Sequence, residues 1–162
     1  MSAEAAPEFD RVKSLTAVKY EYDMAHATAA LLLEKWEPAA VEFALIESFL
    51  VHARNLHDFC LPRTTDRREW DSDIRAYDFT DDFGVETFDI DTIETINRWL
   101  HHITTWRHGS EHPGWFPFPM MLAIHESMNT FLETLHDVEL VGILAVTHSS
   151  VAKTIRPDPV TD

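Results

Sequence analysis

Apolar residues recur at steps of three and four along most of this chain. Leu15, Val18, Tyr22, Ala25, Ala29, Leu32 and Trp36 fall in this way on one face of a helix. Pro38 suits the first turn of a following helix and keeps Glu37 out of the helical region. A second helix is therefore predicted from about Pro38 to Phe59. It carries one stripe of Val41, Leu45, Phe49, His52, Leu56 and Phe59, and an adjoining stripe of Phe43, Ile46, Leu50 and Ala53. An apolar surface that broad suits a central helix covered by several neighbours.

Leu61-Pro62 ends this pattern, and residues 61–90 read differently. Between Asp66 and Glu94 there are eleven acidic residues and three arginines, a net of −8. Trp70, Tyr77, Phe79, Phe83 and Phe88 are interleaved with the acids, which predicts a long loop folded back on the body. Asp91-Thr92-Ile93-Glu94 begins a third helix with acids in its first turn; Ile93, Ile96, Leu100, Ile103 and Arg107 share a face as far as Gly109. Pro113, Pro117 and Pro119 interrupt the chain around Trp115 and Phe116. From about Pro119 a fourth helix places Met121, Ile124, Met128, Phe131 and Leu135 on one side. Beyond Asp137 the chain is apolar and weakly periodic, and a short helix packed on the bundle is the reading adopted. The fold expected is all-α: a four- to five-helix bundle with a long acidic aromatic loop between helices 2 and 3. It forms one domain over residues 1–156, followed by a flexible tail, 157–162.

Composition agrees with a packed domain. The chain has 162 residues, of which 45% are hydrophobic and 25% charged, enough for one core. No uncharged apolar run reaches the roughly 18 residues of a membrane span, and the first ten residues carry no secretory pattern. A single cysteine, Cys60, fits a reducing cytoplasm. The charge does change the picture. Asp and Glu number 28 against 13 Lys and Arg, a formal net of −15. No basic stripe is present, which argues against broad binding to nucleic acid.

Two groups of residues are candidates for chemistry. On helix 2, Glu47, Val51, Arg54 and Asp58 line up at helical spacing, with a carboxylate on either side of one guanidinium. His52 lies on the apolar stripe, and Asn55 and His57 flank the arginine. Two readings compete. One is an internal ion-pair network that fixes helix register; the other is a cleft in which Arg54 holds an anion and a histidine moves a proton. On helix 3, Asn97, His101, Thr104 and His108 form a polar stripe, with Arg98 and His102 beside it and Arg107 close to the helix end. This is either a solvated face with helix-end cations or the second wall of a site. Ten histidines raise the question of metal. No carboxylate–histidine pattern is repeated on two helices, so no metal and no cofactor is predicted; a composite of His57, His101 and His125 is the arrangement left open. Ser48 and Cys60 have no flanking signature of a nucleophile, and Met120, Met121 and Met128 read as core filler.

The run from Glu47 to Phe59, ESFLVHARNLHDF, resembles a motif of uncharacterised bacterial all-helical proteins. In these it is followed by an aspartate-rich loop, here Asp66 to Asp82, and a helix with His-His and an arginine, here His101 to Arg107. The architecture is also similar to HEPN domains, all-α bundles that include metal-independent endoribonucleases marked by Arg, a polar residue and a later histidine. Arg107-His108 followed by His112 has that spacing; Arg54-Asn55 has the first two residues, with Cys60 where a histidine could stand. The resemblance implies a site of Arg54, His102, Arg107 and His112. There His112 or His102 would deprotonate a ribose 2′-hydroxyl, and Arg107, with Arg54, would stabilise phosphorane charge. The acid excess favours a different expectation: a non-catalytic interaction or regulatory domain, homodimeric through a helix face or bound to a protein partner, with no membrane partner. RNA cleavage or sensing is the alternative, and a small-ligand or metal-binding bundle a further one.

Overall fold

The computed structural model describes residues 9–34, 39–63, 73–81, 83–101 and 117–145. Within them the chain forms α1 (Arg11–Leu31), α2 (Ala39–Cys60), a short 3-10 turn (Ala76–Asp78), α3 (Ile90–His101) and α4 (Pro117–Thr134). A fifth helix, α5, covers 138–145. This is the expected all-α bundle; no strand occurs among the described residues. No helix among them is long and apolar enough to cross a membrane. Trp36, Pro38, Trp70, residues 102–116 and the tail 157–162 lie outside the described residues.

Helix α1 starts where its sequence provides a cap. The Asp10 carboxylate accepts a hydrogen bond from the Lys13 backbone N–H at 3.1 Å, satisfying one of the donors that a helix start leaves open. Its face of Leu15, Val18, Tyr22, Ala25 and Ala29 is buried, chiefly along α2. On α2 the two expected stripes are buried from Ile46 onward, at Phe49, Leu50, Ala53, Leu56 and Phe59. The first two turns depart from expectation: Val41 and Phe43 are 37% and 46% exposed. Ile46 is the first buried residue among the described side chains of α2, whose apolar surface from Ala40 to Ala44 is exposed.

The acidic connection folds back as its aromatics predict. Phe79, Phe83 and Phe88 are buried. Phe59, Phe79 and Phe83 set their rings edge-on around Phe131 of α4, with centroids at 5.0, 6.0 and 5.3 Å respectively. Polar bonds hold this arrangement in place. The Arg75 guanidinium donates to the Asp58 carbonyl in the last turn of α2 and to the Asp73 carboxylate at 2.8 Å. Arg11 donates to the Phe79 carbonyl at 2.8 Å, which ties the start of α1 to the same loop.

The far end of the loop is tied as firmly. The Val85 N–H donates to the Cys60 carbonyl at 2.8 Å, so the chain returns to the end of α2. Gly84 makes that return possible. A β-carbon there would sit 2.6 Å from both Cα and Cβ of Pro62, closer than side chains can approach. Asp89 then caps α3 by accepting from the Thr92 N–H at 2.7 Å; hydrogen bonds from the Thr92 side chain and then its backbone hold the Asp89 carboxyl below the usual carboxylate range. Ile93 and Ile96 of α3 are buried, as are Met121, Ile124, Met128 and Phe131 of α4, followed by Leu135. In α5, Leu140 and Leu144 are buried four residues apart, so the described part of the weakly periodic stretch, 138–145, is helix.

Candidate functional site

The strongest polar arrangement among the described residues joins α1 to α2 and centres on Glu21. The Glu21 carboxylate accepts two bonds at one oxygen, Oε2: from His52 Nδ1 at 2.7 Å and from Asn55 Nδ2 at 3.0 Å. An ionised carboxylate only accepts, so Nδ1 carries the imidazole hydrogen and the Asn55 amide nitrogen faces Glu21. The His52 side chain is 12% exposed and that of Glu21 26%. Tyr20 stands edge-on against the imidazole, with centroids 5.9 Å apart. His52 thus meets the requirement that its place on an apolar stripe imposes: it is hydrogen-bonded.

Beside this trio a cleft of about 180 Å³ opens between α1, α2 and the loop. Val18, Leu56, Phe59 and Ile74 form its apolar part, and Ala17, Glu21 and Asn55 also line it. A histidine oriented by a carboxylate is half of a proton-transfer unit. Among the described residues no hydroxyl or thiol is bonded to His52.

Arg54 differs from the buried-network expectation. Its Nε lies 3.9 Å from Asp58 Oδ2, and both side chains are 34% exposed. Glu47, Arg54 and Asp58 are each half-buried along the flank of α2, so water shares in their charges. Arg54→Ala is therefore expected to cost about 0–1 kcal/mol, the range of surface pairs; the roughly 3–5 kcal/mol of a broken buried pair does not apply. Urea unfolding of the two proteins checks this, and a loss above about 2 kcal/mol would restore the buried-network reading. Of the other expected site residues, His102, Arg107 and His112 lie outside the described residues, so the convergence of these three with Arg54 stays an expectation. On α3, Asn97 has a buried Oδ1 with no hydrogen-bond partner, and Arg98 pairs with Glu94 at 3.0 Å on the surface.

The remaining histidines of the core hold elements together. His57 is 3% exposed, accepts from the Phe88 N–H through Nδ1 at 3.2 Å, and stacks on the Phe88 ring. His125 Nδ1 bonds the Tyr22 hydroxyl at 2.7 Å, linking α4 to α1. Both Nδ1 atoms of the postulated His57–His101–His125 composite are thus engaged in hydrogen bonds. Among the described residues no group of three or more His, Cys, Asp or Glu is placed to hold a metal. Cys60 is buried. Burial pushes its thiol up to about 12, against a smaller lowering by a hydrogen bond with Thr87, so it is a poor nucleophile near neutrality.

Helical spacing drew attention to His52, Asn55 and Arg54 but missed Glu21. A signal was present: Glu21 follows the buried Val18 by three residues and precedes Ala25 by four, which sets it on the edge of the α1 face that meets α2. A histidine on an apolar stripe needs a partner, and that edge is where one could be found. No protein-family model matches the chain, and no curated protein and no solved structure is detectably similar to it.

Proposed function

We propose that this chain is a non-catalytic helical interaction domain that acts as a homodimer in the cytoplasm, where Cys60 stays a thiol. The observation that carries the reading is the solvent face of α2. Ala40, Ala44 and Val51 lie along that face, all exposed, with half-buried Glu47 between Ala44 and Val51 and with Val41 and Phe43 exposed on either side. A helix in a monomer turns charge toward water. Here residues 40–51 contain only two charged side chains, Glu42 and Glu47. On a molecule of net charge −15, a face with so few charges is where a second copy can approach with least repulsion. Exposed Tyr20, beside His52, extends the surface with a residue type enriched at interfaces. The acid excess and the Arg54–Asp58 pairing both count against RNA as the partner.

Sedimentation velocity at tens of micromolar tests the reading. The expected result is a species of twice the 18.7 kDa chain mass that Val51→Lys and Val41→Lys convert to monomer without lowering the melting temperature. Added salt is expected to strengthen the dimer by screening repulsion between two acidic chains. A wild-type monomer at these concentrations, or a dimer indifferent to both substitutions, would overturn it.

A further inference from the structure

We infer that the cleft between α1 and α2 is a binding site for a small primary ammonium compound with an apolar body. Its acceptors are unevenly used. Both protein donors reach Glu21 through Oε2, so Oε1 takes no hydrogen bond from the described residues. Asn55 donates through Nδ2, and its Oδ1 likewise has no donor among them. Glu21 and Asn55 both line the cleft, which therefore offers one charged and one neutral acceptor at its polar side. No Lys or Arg is among the described residues of the lining. A group with three donors and no acceptor complements such a rim, and that is the description of an ammonium.

The rest of the cleft defines the rest of the ligand. Val18, Leu56, Phe59 and Ile74 present hydrocarbon, and Val18, Leu56 and Phe59 belong to the hydrophobic core, so this wall is pre-formed. A volume of about 180 Å³ is below the roughly 300–1,000 Å³ of drug-sized pockets, which limits the guest to a short alkyl or single-ring amine. The field of a chain with net charge −15 raises the local concentration of any cation and lowers that of a carboxylate of the same shape. His52 keeps the Glu21 carboxylate in a fixed orientation before a ligand arrives, which reduces the ordering that binding requires. The site is independent of the dimer face: it lies in the seam between the helices, and α2 residues 40–51 take no part in its lining.

The test is a methyl-resolved NMR titration of the full chain with butylammonium, butanol and butyrate. It is run at about pH 8, above the ordinary histidine range, and in roughly 0.15 M salt to screen the acidic surface. Butylammonium is expected to give saturable shifts confined to the methyls of Ala17, Val18, Leu56 and Ile74. Butanol should bind at least about tenfold more weakly, and butyrate not at all. Glu21→Gln, which can still accept from His52, is expected to weaken butylammonium about tenfold and to abolish its advantage over butanol. Shifts that never saturate, shifts spread over the acidic surface, or equal binding of butanol and butylammonium by wild type would overturn the proposal. So would a folded Glu21→Gln that binds butylammonium as wild type does. The wild-type comparison of three isosteric probes decides the matter even if the variant fails to fold.

Discussion

Phe131→Ala is expected to destabilise the protein by about 3–5 kcal/mol, the range for truncating a buried aromatic residue. Phe131 is fully buried, and three rings from two other parts of the chain stand edge-on to it: Phe59 of α2, and Phe79 and Phe83 of the acidic loop. Removing it takes away the transfer free energy of one ring together with a favourable edge contact to each neighbour. The surrounding rings belong to α2 and the loop, which is tied by hydrogen bonds from the Val85 N–H to the Cys60 carbonyl and from the Arg11 guanidinium to the Phe79 carbonyl. They cannot all close on the space, so a cavity remains. Urea unfolding should show a lower midpoint with an unchanged slope, and the melting temperature should fall on the order of ten degrees. A loss below about 1.5 kcal/mol would mean that the cluster collapses readily and that the loop is not rigidly seated.

The second large effect is a loss of stability in alkali. Burial raises the Cys60 thiol from its ordinary 9.0 to about 12 in the folded protein. The sign follows from which state releases the proton first. The unfolded thiol ionises near 9 while the folded one holds its proton, so the stabilisation is complete below pH 9 and is lost as pH rises toward 12. A difference of about three pH units corresponds to on the order of 4 kcal/mol. The Tyr22 hydroxyl, raised by burial and by the neighbouring Asp23 charge, adds a loss of the same sign above pH 10. Cys60→Ala isolates the thiol. Its stability should fall less steeply than that of wild type between pH 9 and 12, the two curves running parallel below pH 9. Parallel curves throughout would show that the thiol titrates normally in the folded chain.

What could be read from the sequence, and what could not, divides by distance along the chain. The stripe from Met121 to Phe131 is a repeating step within a single helix, and its residues are buried as that step requires. Phe79, Phe83 and Phe88 were recognisable as folded-back residues because solvated acidic loops do not need aromatics. Glu21 was missed for the opposite reason. Its contact with His52 spans 31 positions, and no periodicity on α1 specifies which α2 residue it meets. Arg54 shows a related difficulty: spacing aligned it with Glu47 and Asp58, but whether that line faces core or water depends on where α1 and α4 pack. The same ambiguity hid the exposed start of α2, whose Val41 and Phe43 fit the core pattern yet are exposed.

The return of the chain at Val85 to Cys60 has an evolutionary consequence. Because the end of α2 and the approach to α3 are bonded to each other, the spacing of these two helices does not depend on how many residues the loop contains. Doubling a flexible loop adds only about 0.6 kcal/mol in closure entropy. Changes in the length of the connection between these two bonded ends are thus open to drift while the bundle is retained. The junction itself has no such freedom. At position 84 any residue larger than glycine meets Pro62, so this one contact sets where variation stops.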